Sequence, residues 1–380
     1  MALVAVAVGL GAGLTAQERA LRQGSARAAE PFDIVVGAPG SEVTLTLAAV
    51  YLQPADLPLL SGAQVAEIMA DPNVALAAPI AFGDSYSGTP VVGTTAAFLD
   101  HLGGPLAEGR AFAAPFEAVA GAFAPVGVGD HFSPAHGEGH AAEEHAHELY
   151  EYEVVGRMDP TGSPCDRAIL VPIEGVWEVH GLPDGHAEAD RGRIGPPWDP
   201  SLFPGTPAVI LRAEEVWANY ALRDRFTRPD MMAVFPGTVL AQVHGLLRDV
   251  REAMAIMALV TQGLVVAAVL AGLALLTRLL GRSLALLRAL GAPRRFVLAI
   301  VWSLSATLVG AGALLGLGLG WFAAQGFSRV VTARTDIAVT AHLSWSEIQA
   351  ACAFTSLALV LGLLPAWLAS RRPIGNDLRA

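Results

Sequence analysis

Residues 131–148 read HFSPAHGEGHAAEEHAHE and hold five of the chain's ten histidines, His131, His136, His140, His145 and His147. Glu138, Glu143, Glu144 and Glu148 are interleaved with them. Imidazole nitrogens and carboxylate oxygens in one stretch suit Zn²⁺, Ni²⁺ or Cu²⁺. On a helix over 140–148, His140, Glu144 and His147 fall on one face at i, i+4 and i+7. The candidate ligand set is therefore His136, His140, Glu144, His145 and His147, for zinc or another divalent transition metal. The same composition also describes a solvated loop, and both readings stand at this point. The glycines and the lack of apolar neighbours argue against a rigid catalytic centre, which needs ligands held by packing and outer hydrogen bonds. HExxH is absent, so a zincin-type peptidase is unsupported. A low-affinity sensing or delivery loop fits better.

A second chemically suggestive stretch is Thr161–Arg167, TGSPCDR. Cys165 beside Asp166 could be a nucleophile or a ligand. The plainer reading is a turn over Thr161–Pro164, capped by Asp166, with Cys165 a small side chain entering a strand. Cys352, the only other cysteine, lies in an apolar run far away in sequence, which argues against a disulfide. All 24 basic residues are arginine. A phosphate-binding loop of the GxxxxGK[ST] type needs a lysine, so the chain lacks that nucleotide site. No catalytic constellation is recognisable, and no enzymatic activity is expected of this chain.

The elements that carry these residues belong to a membrane protein. The 380 residues are 53% hydrophobic with a mean hydropathy of +0.48, too apolar for an ordinary soluble chain. A span needs about 20 apolar residues. Residues 253–277, 296–328 and 348–370 carry no charge, and each is long enough. Residues 1–17 are marginal. A basic leader region and an A-x-A cleavage site are both missing, so this run reads as a first spanning helix with a trimmed cytoplasmic start. The expectation is an α-helical membrane protein with four transmembrane helices and a large α+β extracytoplasmic domain inserted between helices 1 and 2. Its parts are helix 1 at 1–17, the exported domain with helical stalks at 18–250, and helix 2 at 251–277. A cytoplasmic segment at 278–295, helix 3 at 296–325, an outer loop at 326–347, helix 4 at 348–370 and a cytoplasmic tail at 371–380 follow. Arginine asymmetry sets the orientation. The 278–295 segment has five arginines and no acid, whereas residues 18–252 carry 32 acidic and 14 basic side chains. No acidic or basic residue sits mid-span, which weakens an ion-relay mechanism. Gly312, Gly316 and Gly320 recur every four residues, a spacing that lets helices approach closely in lipid. Packing inside the subunit and a dimer seam are both open.

In the exported domain, strands are expected at Asp33–Val36, Val43–Val50, Thr89–Thr94, 151–156, 167–173 and Pro207–Arg212. Helices are expected after Ser61, at Glu174–His180 and at Glu214–Phe226, with a long Gly/Pro/Asp-rich loop at 181–206. From Thr238 the pattern runs helically into the second span.

The remaining feature is RLLGRSLALLRALGAPRR, residues 278–295. On a helical wheel Leu279, Leu280, Leu284, Leu286, Leu287 and Leu290 share one side. Arg278, Arg282 and Arg288 lie on the other with Ala285 and Ala289. Gly291 supplies a helix stop reinforced by Pro293. A leucine face is more than a plain orienting loop requires, and points to docking. RSLALLRALGAPRRFV resembles the cytoplasmic segment of FtsX-like/MacB-like permeases of ABC transporters, in which an arginine-rich run leads into an LLRALGASRR-type motif. The span–domain–three-span layout agrees with that family. FDIVVGAPGSEVTLTL (Phe32–Leu47) together with TGSPCDR is similar to a less-characterised subgroup. Glutamates that often flank the family's arginines are missing here, with Gly281 and Ser283 in their vicinity.

The resemblance implies that the segment is a coupling helix docking on a separate ATPase, through Arg282, Leu286, Leu287, Arg288, Leu290, Gly291, Arg294 and Arg295. It also implies two ATPase copies, a second permease copy in a homo- or heterodimer, and residence in a bacterial inner membrane. A periplasmic adaptor or substrate-binding protein is a further partner of the same kind; nucleic acid is not. Such permeases act as levers that pass ATP-driven motion to the exported domain, in export or lipoprotein extrusion; the histidine cluster adds metal-linked transport as an option. The competing reading is a membrane-anchored metal-binding or sensor protein with no ATPase partner.

Overall fold

In the computed structural model the described residues are 1–103, 106–136, 149–246, 248–335 and 339–371. The chain divides into two compact units. One is α+β and spans Gln23–Gly245; the other is helical and takes Met1–Arg22 together with Leu246–Val331 and the chain from Val339.

The α+β unit is built on an 11-stranded sheet. Its strands are β1 (Ile34–Gly37), β2 (Val74–Tyr86), β3 (Thr89–Thr94), β4 (Glu108–Gly109), β5 (Glu117–Ala120), β6 (His131–Phe132), β7 (Ala135–His136), β8 (Tyr152–Arg157), β9 (Ile169–Pro172), β10 (Ala208–Ala213) and β11 (Met232–Val234). The order is β11-β1-β10-β2-β3-β9-β5-β8-β4, with β6 added on β8 and β7 on β2. Among the described residues, only β3–β9 and β5–β8 pair in parallel. The central strands are apolar on both faces because both faces are covered. Ile34, Val36, Ile169, Val171, Val209 and Leu211 point into one core, whereas Val35, Leu170, Ala208 and Ile210 point into the other. Helices α3 (Gly62–Met69), α5 (Ile173–Val179) and α6 (Ala218–Phe226) contribute Val65, Ile68, Val176, Trp177, Leu222 and Phe226 to the first core. Helices α2 (Glu42–Tyr51) and α4 (Ala96–Gly103) contribute Leu45, Ala49, Phe98 and Leu99 to the second, as does α7 (Pro236–Leu246) through Val239.

Most expected elements are present, and the capped helix after Ser61 is α3. Its capping box is complete, with Ser61 and Gln64 bonding reciprocally. Val43–Val50 is a correction: this expected strand is helix α2. Ser41 caps it by accepting from the Thr44 amide at 3.2 Å, and one turn-spaced face seals the sheet. Burial of that face overrides the β preference of VTLTL. The expected helix at Glu214 begins only at Ala218. The longest strand, β2, was not anticipated at all. It carries Pro79 and an alanine-rich run, neither of which signals a strand.

The helical unit contains α1 (Ala2–Ala29) as far as Arg22, α8 (Arg248–Leu279), α9 (Gly281–Ala289), α10 (Arg294–Thr335) as far as Val331, and α11 (Trp345–Arg371). Among the described residues, three helices are long and apolar enough to cross a membrane, over Glu252–Leu279, Arg294–Thr332 and Trp345–Leu368. The start of α1, expected as a fourth span, is not among them, since Gln17, Glu18 and Arg19 enter the helix soon after its apolar opening. Val4, Ala7 and Val8 of α1 nevertheless pack with Val266, Val309, Ala313, Phe354 and Ala358. Residue 247, in the expected continuous helix from Thr238, lies outside the described residues.

The glycine stripe has an occupant inside the chain. A Cβ placed on Gly312 would meet Val4 Cβ at 2.9 Å, one on Gly316 would meet Ala5 O at 2.6 Å, and one on Gly320 would meet Gly9 O at 2.6 Å. Backbone therefore lies against backbone along α1 and α10. Further along α1, Arg19 grips Glu347 with its two terminal guanidinium nitrogens, at 3.0 and 2.9 Å. Glu347 also accepts from the Ser344 amide and hydroxyl, each at 2.8 Å, which caps the start of α11.

Candidate functional site

The arginine–leucine segment falls on α9 and the turn after it. Gly291 has φ +98°. The Ala292 amide donates to Leu287 O at 3.0 Å and the Gly291 amide to Arg288 O at 3.1 Å. This pair is a Schellman stop, which places the glycine at the left-handed position. The wheel reading needs one correction. The face turned into the protein is Gly281, Leu284 and Ala285, with Leu280 beside it, packed on Val297, Val301 and Ala366. Ala285 thus lies inward, although the wheel put it among the arginines. The close packing of a helix hairpin selects the small side chains for the inner face. Leu279, Leu286, Leu287 and Leu290 are left exposed, Leu290 at 86%. Arg282, Arg294 and Arg295 are exposed around them, and Arg288 is half-buried. Phe296 extends the apolar patch.

Of the five expected metal ligands, His136 alone lies within the described residues; His140, Glu144, His145 and His147 lie outside them. The structure assembles His136 with two residues that sequence reasoning passed over, Asp84 and His180. Asp84 and His136 are directly opposed in the β2–β7 pairing, which brings their side chains to one face. His180 caps the C-terminus of α5. His136 Nδ1 lies 3.0 Å from Asp84 Oδ1, and His180 Nε2 lies 3.5 Å from the same oxygen. The two imidazole centroids are 4.7 Å apart. The Asp84 side chain is 4% exposed, against 29% for His180 and 47% for His136. Asp84 Oδ1 is buried without a hydrogen bond of good geometry. His180 Nδ1 faces Val176 O at 2.7 Å. The Asp84 carboxylate, outweighing desolvation, raises the His180 pKa above the ordinary imidazole value, and the Val176 carbonyl adds to this.

No sequence signal ties these three residues together. Asp84 ends an unrecognised strand, and His180 closes an otherwise apolar helix.

The TGSPCDR stretch is a structural turn. Asp166 accepts from the Thr161 amide at 2.8 Å, the Thr161 hydroxyl at 2.6 Å and the Gly162 amide at 2.8 Å. Cys165 is buried, and burial pushes its thiol up to about 12, far from the range in which a thiolate attacks. Both cysteines are free. Nearby, Glu174 at the start of α5 is buried and pushed upward chiefly by desolvation. It accepts from Trp198 Nε1 at 2.6 Å and from the Gly195 amide at 2.8 Å, which pins the long 181–206 loop.

No protein-family sequence profile matches the chain, and no curated protein matches it. Among solved structures it is similar to the periplasmic region of MacB from Actinobacillus actinomycetemcomitans, at 10% identity and a TM-score of 0.34, covering 57% of this chain and 95% of that one. It is also similar to the extracellular domain of the noncanonic ABC-type transporter YknZ from Gram-positive bacteria. There the identity is 12% and the TM-score 0.32, over 53% of this chain and 98% of that one.

Proposed function

We propose that this chain is the permease subunit of an ABC-type transporter, a lever driven by a separate ATPase. The observation that carries the reading is the exposed patch on α9. Leu286, Leu287 and Leu290 sit unburied in a helix between two apolar spans, ringed by Arg282, Arg294 and Arg295. A loop that only oriented the protein would not present leucines outward. An acidic-rimmed apolar groove on a partner would cover both features at once. The chain lacks a lysine-dependent phosphate loop, so the nucleotide chemistry belongs to that partner, in two copies. A second permease copy, a four-span layout counting α1, and an inner-membrane location with the α+β unit outside complete the proposal. The cargo class stays as broad as export, lipoprotein extrusion or metal-linked transport. Membrane insertion should survive Leu290→Asp combined with Arg294→Glu, while co-purification of an ATPase encoded beside this chain should be lost. Unchanged recovery of that ATPase would remove the docking role.

A membrane-anchored metal-binding protein without an ATPase is the second reading, favoured by Asp84, His136 and His180. It leaves the outward leucines of α9 without a task.

A further inference from the structure

We propose that Asp84, His136 and His180 form a binding site for a divalent transition metal, with zinc as the representative ion. The site is independent of the docking reading; either could fail without the other. Three donors from β2, β7 and the end of α5 converge on one small volume, with all ligand atoms within 4.8 Å of one another. Two donors bound to one tetrahedral zinc at about 2.0–2.1 Å lie roughly 3.4 Å apart. The observed 3.0 and 3.5 Å separations bracket that value.

The outer bonds are also those of a ligand set. When His180 Nδ1 carries its proton it donates to Val176 O, and Nε2 then presents a lone pair toward Asp84. A histidine whose far nitrogen is held by a backbone carbonyl is oriented for metal binding. In that form a lone pair faces a carboxylate oxygen that is buried and has no well-formed hydrogen bond. A cation there would take the place of the proton that otherwise bridges Nε2 and Oδ1, and His136 closes the third side. Two imidazoles and one carboxylate suit zinc, with copper and nickel as alternatives, and not the oxygen-seeking magnesium or calcium. Partial exposure of both rings leaves a fourth position open to water. The ion would tie β7, and with it the start of the histidine-rich stretch, to β2 and α5.

The test uses the full chain in detergent, stripped with chelator and titrated with Zn²⁺ against a chromophoric competitor. Co²⁺ absorption provides a second readout of a low-symmetry nitrogen–oxygen site. The expected result is one high-affinity ion per chain, with a rise in the unfolding temperature on adding Zn²⁺. Asp84→Asn and His136→Ala should each weaken binding by at least about ten-fold and remove the Co²⁺ band. His136 is half exposed, so its variant keeps the test valid if Asp84→Asn disturbs folding. A variant with His140, His145 and His147 all changed to alanine should bind as the parent does. Absence of binding, undiminished binding in both site variants, or loss in the triple variant would each overturn the assignment.

Discussion

Glu347 is a carboxylate only 2% exposed, and it survives there because Arg19 and the start of its own helix saturate it. Breaking such a pair from one side leaves an uncompensated charge. Arg19→Met should therefore lower stability by about 3 kcal/mol, and adding Glu347→Gln should recover part of the loss; thermal unfolding in detergent measures both. Glu117 reports on pH instead. Arg110 and the Ala113 amide, the latter at 2.7 Å, hold its carboxyl at about 2, against 4.5 when unconstrained. The depressed value means that its ionised form contributes stability above about pH 4.5. That contribution fades as the pH falls toward 2. Glu117→Gln should accordingly lie further below the parent at pH 7 than at pH 3 in denaturant unfolding. Cys165, buried with its thiol raised, should resist maleimide until the α+β unit unfolds. At this scale the turn around Asp166 was legible, because its Thr, Gly and Asp sit close in sequence. Asp84 and His180 were not, since nearly a hundred residues separate them and only the packing of α5 against β2 joins them.

Elements were legible where local chemistry and burial agree. Ser61 and Gln64 announce α3, and the short continuous apolar runs of Ile169–Pro172 and Ala208–Ala213 announce β9 and β10. Agreement fails at α2, whose β-branched residues were outvoted by a sheet that needs covering. It fails again at β2, whose alanines carry no period. The glycines of α10 were visible as a stripe, but their partner was not, because α1 lies some 300 residues away. Gly316→Leu should push α1 off α10, since even a Cβ comes within 2.6 Å of Ala5 O. The expected sign is loss of the folded species in detergent size-exclusion, whereas Gly318→Leu, with open space around it, should be tolerated. The turn after α9 is more forgiving sterically and strained conformationally. Gly291→Ala forces a Cβ into φ +98°, at a cost of about 1–2 kcal/mol.

The whole molecule follows from charge and hydropathy more directly than from any motif. Arginine is concentrated between and after the apolar helices, while acid is concentrated in Gln23–Gly245. On the permease reading that asymmetry puts α9 inside the cell, and a cysteine placed at Ser283 should then label only from the cytoplasmic face. Labelling from outside would remove the ground for the transporter reading altogether. Composition also marked a membrane protein from the start, whereas the three-layer build of the α+β unit needed the topology of eleven strands to emerge.

The contact of α1 with α10 has a mechanical side. At its glycines this joint leaves no room for a side chain to swing between the helices, and only the short, stiff Val4, Ala7 and Val8 pack beside them, so the two rods resist sliding or partial opening. On the lever reading, a permanent covalent staple across Gly9 and Gly316 should therefore go unnoticed, and the flexing falls to other joints.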